Sequence, residues 1–301
     1  MSSEPSNYCP PSAGLPDSEA RRARPAMGTL VDIVARGPER TQVERSLEAA
    51  FAAVEQVEQL MSFHSPDSEL SRLNRSASAQ PQVVHGWTYA VLKRALRIAA
   101  ASDGLFDIAV ASALVQAGLL PSPAASPTAE GTWRDLMLLS DARVYFQRPM
   151  LIDLGGIAKG FAVDQAIHSL RRGGCTQGMV NAGGDLRRFG AGFELVHVRG
   201  RAGPLPLAQL RCGALATSGG HEPSPERLAQ PIGSIVDPRS GRLWLGAGGV
   251  TVGARCCTVA DALTKVAALA GPACRPLLAR FGARALWWEQ EQEAGSASGE
   301  G

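Results

Sequence analysis

LIDLGGIAKGFAVDQAIHSLRRGGCTQGMVNAGGDLRRFG, Leu151–Gly190, decides how this chain is read. An apolar strand end delivers Asp153, and Gly155 and Gly156 follow it. The spacing then predicts a helix over Ile157–Arg172, with Lys159 in its first turn and Gly173–Gly174 as its stop. Glycines before a helix start let backbone N–H groups and the positive helix end face an anion. A lysine at that end opposes the helix dipole. A bound phosphate would explain it, and so would a simple ion pair with Asp153.

Working outward, Gly28–Ala35 and Gly178–Ala182 alternate as strands, and Phe193–Val198 and Leu210–Thr217 read the same way. Thr41–Met61 places Val43, Leu47, Phe51, Val54, Val57 and Met61 at helical spacing, and Trp87–Ser102 repeats the pattern. Val259–Ala270 and Pro276–Phe281 are the last predicted helices, and Ala283–Trp288 is a closing strand. Strands and helices mix without regular alternation. The expected class is therefore α+β, with mixed sheets and flanking helices, rather than a doubly wound sheet. Residues 1–24 and 291–301 read as tails rich in small and polar residues, and residues 25–290 as one domain.

Composition narrows the function classes. The 301 residues are 45% hydrophobic and 19% charged, enough to build a sizeable core. Thirty Lys plus Arg against 28 Asp plus Glu leave a net charge of +2, and aromatics are 5%. Neither a polyanion-binding field nor a set of stacking platforms is present, which argues against nucleic acid. The six cysteines are irregularly spaced and lack a C-x-x-C, so reduced thiols are expected. No apolar stretch reaches the roughly 18 residues of a membrane span. The first residues lack an apolar signal-peptide core, and the expected compartment is the cytoplasm.

The familiar motifs fail. No G-x-x-x-x-G-K-[ST] occurs, and the five histidines never take zinc-site spacing. Ala216–Gly220 (ATSGG), followed by His221, nearly matches a hydrolase nucleophile elbow. The triad order is wrong, however, because no histidine follows Asp237. A strand end whose bare backbone approaches something closely is the simpler reading.

Eight segments, two of them within the opening stretch, form an ordered set of motifs. They are MGT at Met27, SFHSPDSELSRLN at Ser62, DGLFD at Asp103, DLGGIAKGFAVD at Asp153, NAGGDLRRFG at Asn181, ATSGG at Ala216, IVDPRSG at Ile235 and ADALTK at Ala260. Taken in this order, they resemble the FAD:protein FMN transferases, the ApbE-type flavin transferases. The resemblance implies one α+β domain that moves the FMN half of FAD to a threonine hydroxyl of a target flavoprotein, with release of AMP. It implies that Met27, His64, Leu105, Phe106, Asp107, Asp153, Lys159 and Ile235 contact FAD, and that the Gly156 carbonyl and Asp261 hold Mg²⁺.

Three positions depart from the family pattern. His64 stands where a tyrosine is usual, and Ser234 where a histidine implicated in catalysis is usual. Lys265 takes the place of a metal-binding threonine, on the same helix face as Asp261. Ser234 and Lys265 are thus the residues left at the catalytic positions. A protonated lysine cannot ligate a metal; it can supply the charge the metal would bring, or simply pair with Asp261. An FAD-binding protein of the same fold, without transfer, is the second reading.

Overall fold

The chain is extended well before the first expected strand. Ser18–Ala26 forms β1, antiparallel to β2, Thr29–Gly37. The tail expected over residues 1–24 therefore gives way at Ser18. Its composition misleads because β1 is an edge strand bearing charge: Arg21 pairs with Asp32, and Arg22 and Arg24 pair with Glu48. The structure, a computed structural model, describes residues 18–122, 131–200, 203–220, 235–244, 246 and 248–288.

In chain order there follow α1 (Arg40–Met61), α2 (Glu69–Ser76), β3 (Gln82–Val83), α3 (Gly86–Ala101), α4 (Ala111–Gln116), β4 (Leu136–Leu139) and β5 (Arg143–Phe146). Next come α5 (Ala158–Arg172), β6 (Gln177–Ala182), β7 (Asp185–Phe189), β8 (Glu194–Gly200), β9 (Gly203–Leu210) and β10 (Gly213–Gly220). The chain continues through β11 (Val236–Asp237), β12 (Arg242–Leu243), β13 (Gly248–Ala254), α6 (Cys257–Ala270), α7 (Arg275–Arg280) and β14 (Arg284–Trp288).

The central sheet has seven strands in the order β1-β2-β6-β7-β10-β13-β14. Every strand pairing among the described residues is antiparallel. Strand alternation sends Val31, Ile33 and Ala35, Val180 and Ala182, Ala214 and Ala216, and Val250 and Val252 into the core. Helices α1, α5 and α6 pack on this sheet and on one another. α1 and α5 show the expected stripe, whereas α6 is buried nearly all round because it packs on both the sheet and α5.

α5 and α6 meet at Gly160. A Cβ built there would stand 2.4 Å from the Cys257 carbonyl oxygen and 2.8 Å from the Asp261 Cβ. One turn later the Asp164 carboxylate accepts the Cys257 and Thr258 N–H groups, both at 2.9 Å. It also accepts the Thr258 hydroxyl, and Arg187 on β7 donates to it at 2.6 Å. An acid on α5 thus caps the first turn of α6, where the helix dipole favours negative charge.

Gly160→Ala should therefore destabilise the protein by about 1–3 kcal/mol, because backbone atoms cannot make room. Gly86→Ala is the control, since nothing lies within 4 Å of a Cβ there; it should be neutral or slightly stabilising. Thermal unfolding of both variants checks this, and equal melting temperatures would refute the tight helix crossing.

Candidate active site

The glycine-rich segment is fixed from two sides before it enters α5. Asn74, on α2, donates to the Ile152 carbonyl and accepts the Ile152 N–H, both at 2.9 Å. The Asp153 N–H donates to the Ile108 carbonyl at 2.8 Å, which ties the segment to the turn holding Phe106 and Asp107. Ser68 caps α2 by accepting the Ser71 N–H at 3.0 Å, so the SELSRLN run forms the platform that carries Asn74.

Past the segment, four charges converge. Lys159, in the first turn of α5, stands 3.2 Å from the Asp185 carboxylate at the start of β7. Lys265, on α6, donates to the Asp261 carboxylate and, at 3.0 Å, to the Asp261 carbonyl. Asp261 is wholly buried, and its other carboxylate oxygen accepts the Gly160 N–H at 3.0 Å. The two helices thus carry their lysines into one electrostatic neighbourhood, where each buried acid feels both ammonium groups.

The two acids respond in opposite directions. Burial and the nearby Asp261 charge push the Asp185 carboxyl up to about 6, and one of its oxygens makes no hydrogen bond although Lys159 is in ion-pair contact. Asp261 is equally sealed from water. Even so, the Lys265 ammonium bonded to it, with Lys159 nearby, holds it below the ordinary carboxylate range. Asp185 and Asp261 both hold Lys159 above the ordinary lysine value, so it stays charged.

Residues 27–287 match the family model described as the ApbE family. The chain belongs to the ApbE family. The FAD:protein FMN transferase of Treponema pallidum is 28% identical over 258 residues, covering 74% of this chain and 70% of that protein. That of Vibrio cholerae serotype O1 is 30% identical over 221 residues, covering 67% of this chain and 64% of the relative, slightly under two thirds of its length. In fold, the ApbE protein of Thermotoga maritima gives a TM-score of 0.75 at 26% identity, over 90% of this chain and 94% of that one. The flavin transferase ApbE from Vibrio cholerae gives 0.74 at 24% identity, over 92% and 95%.

Six of the expected site residues converge in this ApbE chain. Asp153, Gly156, Lys159, Asp261, Lys265 and Phe106 are brought together: a Cβ on Gly156 would lie 3.5 Å from Lys265 Cε and 3.6 Å from the Phe106 ring. His64 is exposed and near enough to Asp153 to lower its proton affinity, which burial otherwise raises. Asp107 and Leu105 flank Phe106, but both Asp107 oxygens are committed, to the Ala109 N–H at 2.8 Å and the Trp133 N–H at 3.1 Å. Met27 sits at a two-residue β1–β2 turn with φ +53°, its N–H donated to Glu58 at 3.0 Å. That turn adjoins Gly183, where a Cβ would meet the Thr29 hydroxyl at 2.5 Å. Ile235 is buried beside the β11–β12 ribbon, its carbonyl accepting the Trp244 N–H at 2.7 Å. Ser234 and His221 lie outside the described residues.

One expectation is corrected by the structure. The ion-pair alternative for Lys159 names the wrong acid: its partner is Asp185, while Asp153 accepts the Gly155 N–H at 3.0 Å. Ser218 is no elbow nucleophile, because it lies within β10 and shares a 2.8 Å hydrogen bond with Thr264. The sequence reading missed Asp185, Asn74 and Gly160. All three lie inside quoted motifs, but as a turn acid, a helix-face amide and a helix glycine they carry no local mark of their partners.

The donors present do not fit the implied Mg²⁺, which prefers octahedral oxygen ligands. Both Asp261 oxygens are engaged, Thr264 donates to the Asp261 carbonyl at 2.7 Å, and an ammonium fills the remaining place on that face. Among the described residues no three His, Cys, Asp or Glu side chains converge as a metal set.

The charge arrangement has a pH signature. As pH falls, Asp185 should take its proton first, near 6, and Asp261 only below the ordinary carboxylate range. The raised Asp185 contributes stability that is present in acid and fades as pH rises through about 6. The lowered Asp261 contributes stability at neutral pH that is lost on acidification. Carboxyl-carbon NMR titration gives the order directly, and Asp261 protonating first would contradict the assigned partners.

Proposed function

We propose that this chain transfers the FMN half of FAD to a threonine hydroxyl of a target flavoprotein and releases AMP. The observation that carries the reading is the pair of lysines at the start of α5, Lys159 in its first turn and Lys265 lying alongside Gly156. The names of the relatives support the same reaction. In it the threonine oxygen attacks the phosphorus on the flavin side of the FAD pyrophosphate. A phosphoester bond forms, the bond to the bridging oxygen breaks, AMP leaves with that oxygen, and the hydroxyl proton is released. Such transfer is dominated by positioning and by neutralisation of charge on the phosphoryl and leaving oxygens.

The residues divide the work accordingly. Lys159 and Lys265 neutralise the phosphates, and the segment fixed by Asn74 orients them. Phe106, Leu105, His64, Met27 and Ile235 wall the flavin, with Asp107 and Asp153 setting the backbone around it. Ser234, which takes the family's catalytic position, lies outside the described residues. The reaction so written needs no step on the Mg²⁺ implied at Gly156 and Asp261, and both Asp261 oxygens are already engaged. Cys175, Cys257 and Cys274 are buried thiols, and burial pushes each thiol up; they suit a reaction placed in the reducing cytoplasm. No helix among the described residues is long and apolar enough to cross a membrane.

Incubating the purified chain with FAD and a flavoprotein domain carrying an acceptor threonine tests this. Intact-mass analysis should find one FMN added to the acceptor and an equal amount of AMP released. FAD binding with neither product would leave only a flavin-binding protein.

A further inference from the structure

We propose that Lys159 and Lys265 form a built-in two-cation clamp for the FAD pyrophosphate, so that FAD binds to this chain without a metal ion. The inference rests on the flavin-transfer reading and concerns how the same site meets the charge of its substrate.

The two lysines are not loose surface cations. Each is held by its own buried carboxylate, Lys159 by Asp185 and Lys265 by Asp261. The acid side chains are 5% and 0% exposed, the lysine side chains 31% and 20%. In each pair the carboxylate is sealed in, while the lysine side chain keeps partial access to solvent. The two pairs keep their spacing because α5 and α6 are locked together: Gly160 admits the close crossing, and its N–H donates to Asp261 at 3.0 Å. Lys265 lies alongside the Gly156 backbone, with the Phe106 ring on the same side. An anion lying against Gly155 and Gly156 would thus meet Lys159 from α5 and Lys265 from α6.

The same geometry excludes a metal from the place the resemblance gives it. A divalent cation would have to take the Asp261 oxygen that holds Lys265 and displace an ammonium also bonded to the Asp261 carbonyl. A divalent cation and an ammonium on one carboxylate would repel each other, which disfavours the metal. An ordinary exposed i,i+4 pair would be labile, but this one has a wholly buried acid partner.

Calorimetric titration of FAD into the full chain, in EDTA and again in excess Mg²⁺, tests the clamp without any variant. The dissociation constants should agree within about twofold. Lys265→Thr should weaken FAD binding in EDTA by about tenfold or more, the scale of one lost charge-assisted hydrogen bond, and excess Mg²⁺ should recover part of the loss. Wild-type binding that collapses in EDTA and returns with Mg²⁺ would overturn the proposal. So would unchanged EDTA affinity in folded Lys265→Thr. Failure of FAD to bind under either condition would sink the flavin reading itself, whereas metal-dependent binding would sink only the clamp. If Lys265→Thr does not fold, the wild-type comparison decides alone.

Discussion

α5 and α6 cross backbone to backbone at Gly160, and the candidate site is a consequence of that crossing. Without a side chain at this one position, the Cys257 carbonyl and the Asp261 Cβ come close enough for the Gly160 N–H to reach the Asp261 carboxylate. Asp164 then closes the first turn of α6 and draws in Arg187 from β7. Three elements distant in sequence are thereby fixed in one frame, and two of them carry a lysine. A larger residue at Gly160 would push the helices apart and separate the charges as well as loosen the core.

Burying two carboxylates opposes folding unless they are paired and hydrogen-bonded. Asp261 meets that condition fully. Asp185 meets it only in part, with an ion-pair contact at 3.2 Å and one oxygen lacking a hydrogen bond. A core optimised for stability alone would replace such groups with apolar side chains. On the proposed reading, an anionic ligand that needs two fixed positive charges accounts for them. Lys159 neutralises Asp185, so its loss should be felt in the empty protein as well as in the proposed ligand binding.

Much of this was legible in the sequence where the signal is local. The apolar periodicity of α1, α3 and α5 fixed those helices to within a residue or two, and the order of eight motifs pointed to the ApbE family. β1 was hidden because an edge strand rich in arginine looks like a solvated tail. Asp185, Asn74 and Gly160 escaped because their partners are remote: 101 residues separate Gly160 from Asp261, and 78 separate Asn74 from Ile152. Periodicity reports which face of an element is buried, not which distant backbone it meets.

On the proposed reading the site recognises a pyrophosphate through its two lysines. The affinity difference between FAD and riboflavin, which lacks any phosphate, measures this most directly. Calorimetry should find FAD tighter by about ten- to a hundredfold for each charge-assisted bond retained, and the difference should shrink when Lys159 and Lys265 are both replaced by alanine. Equal affinities for the two flavins in the wild-type protein would contradict the account.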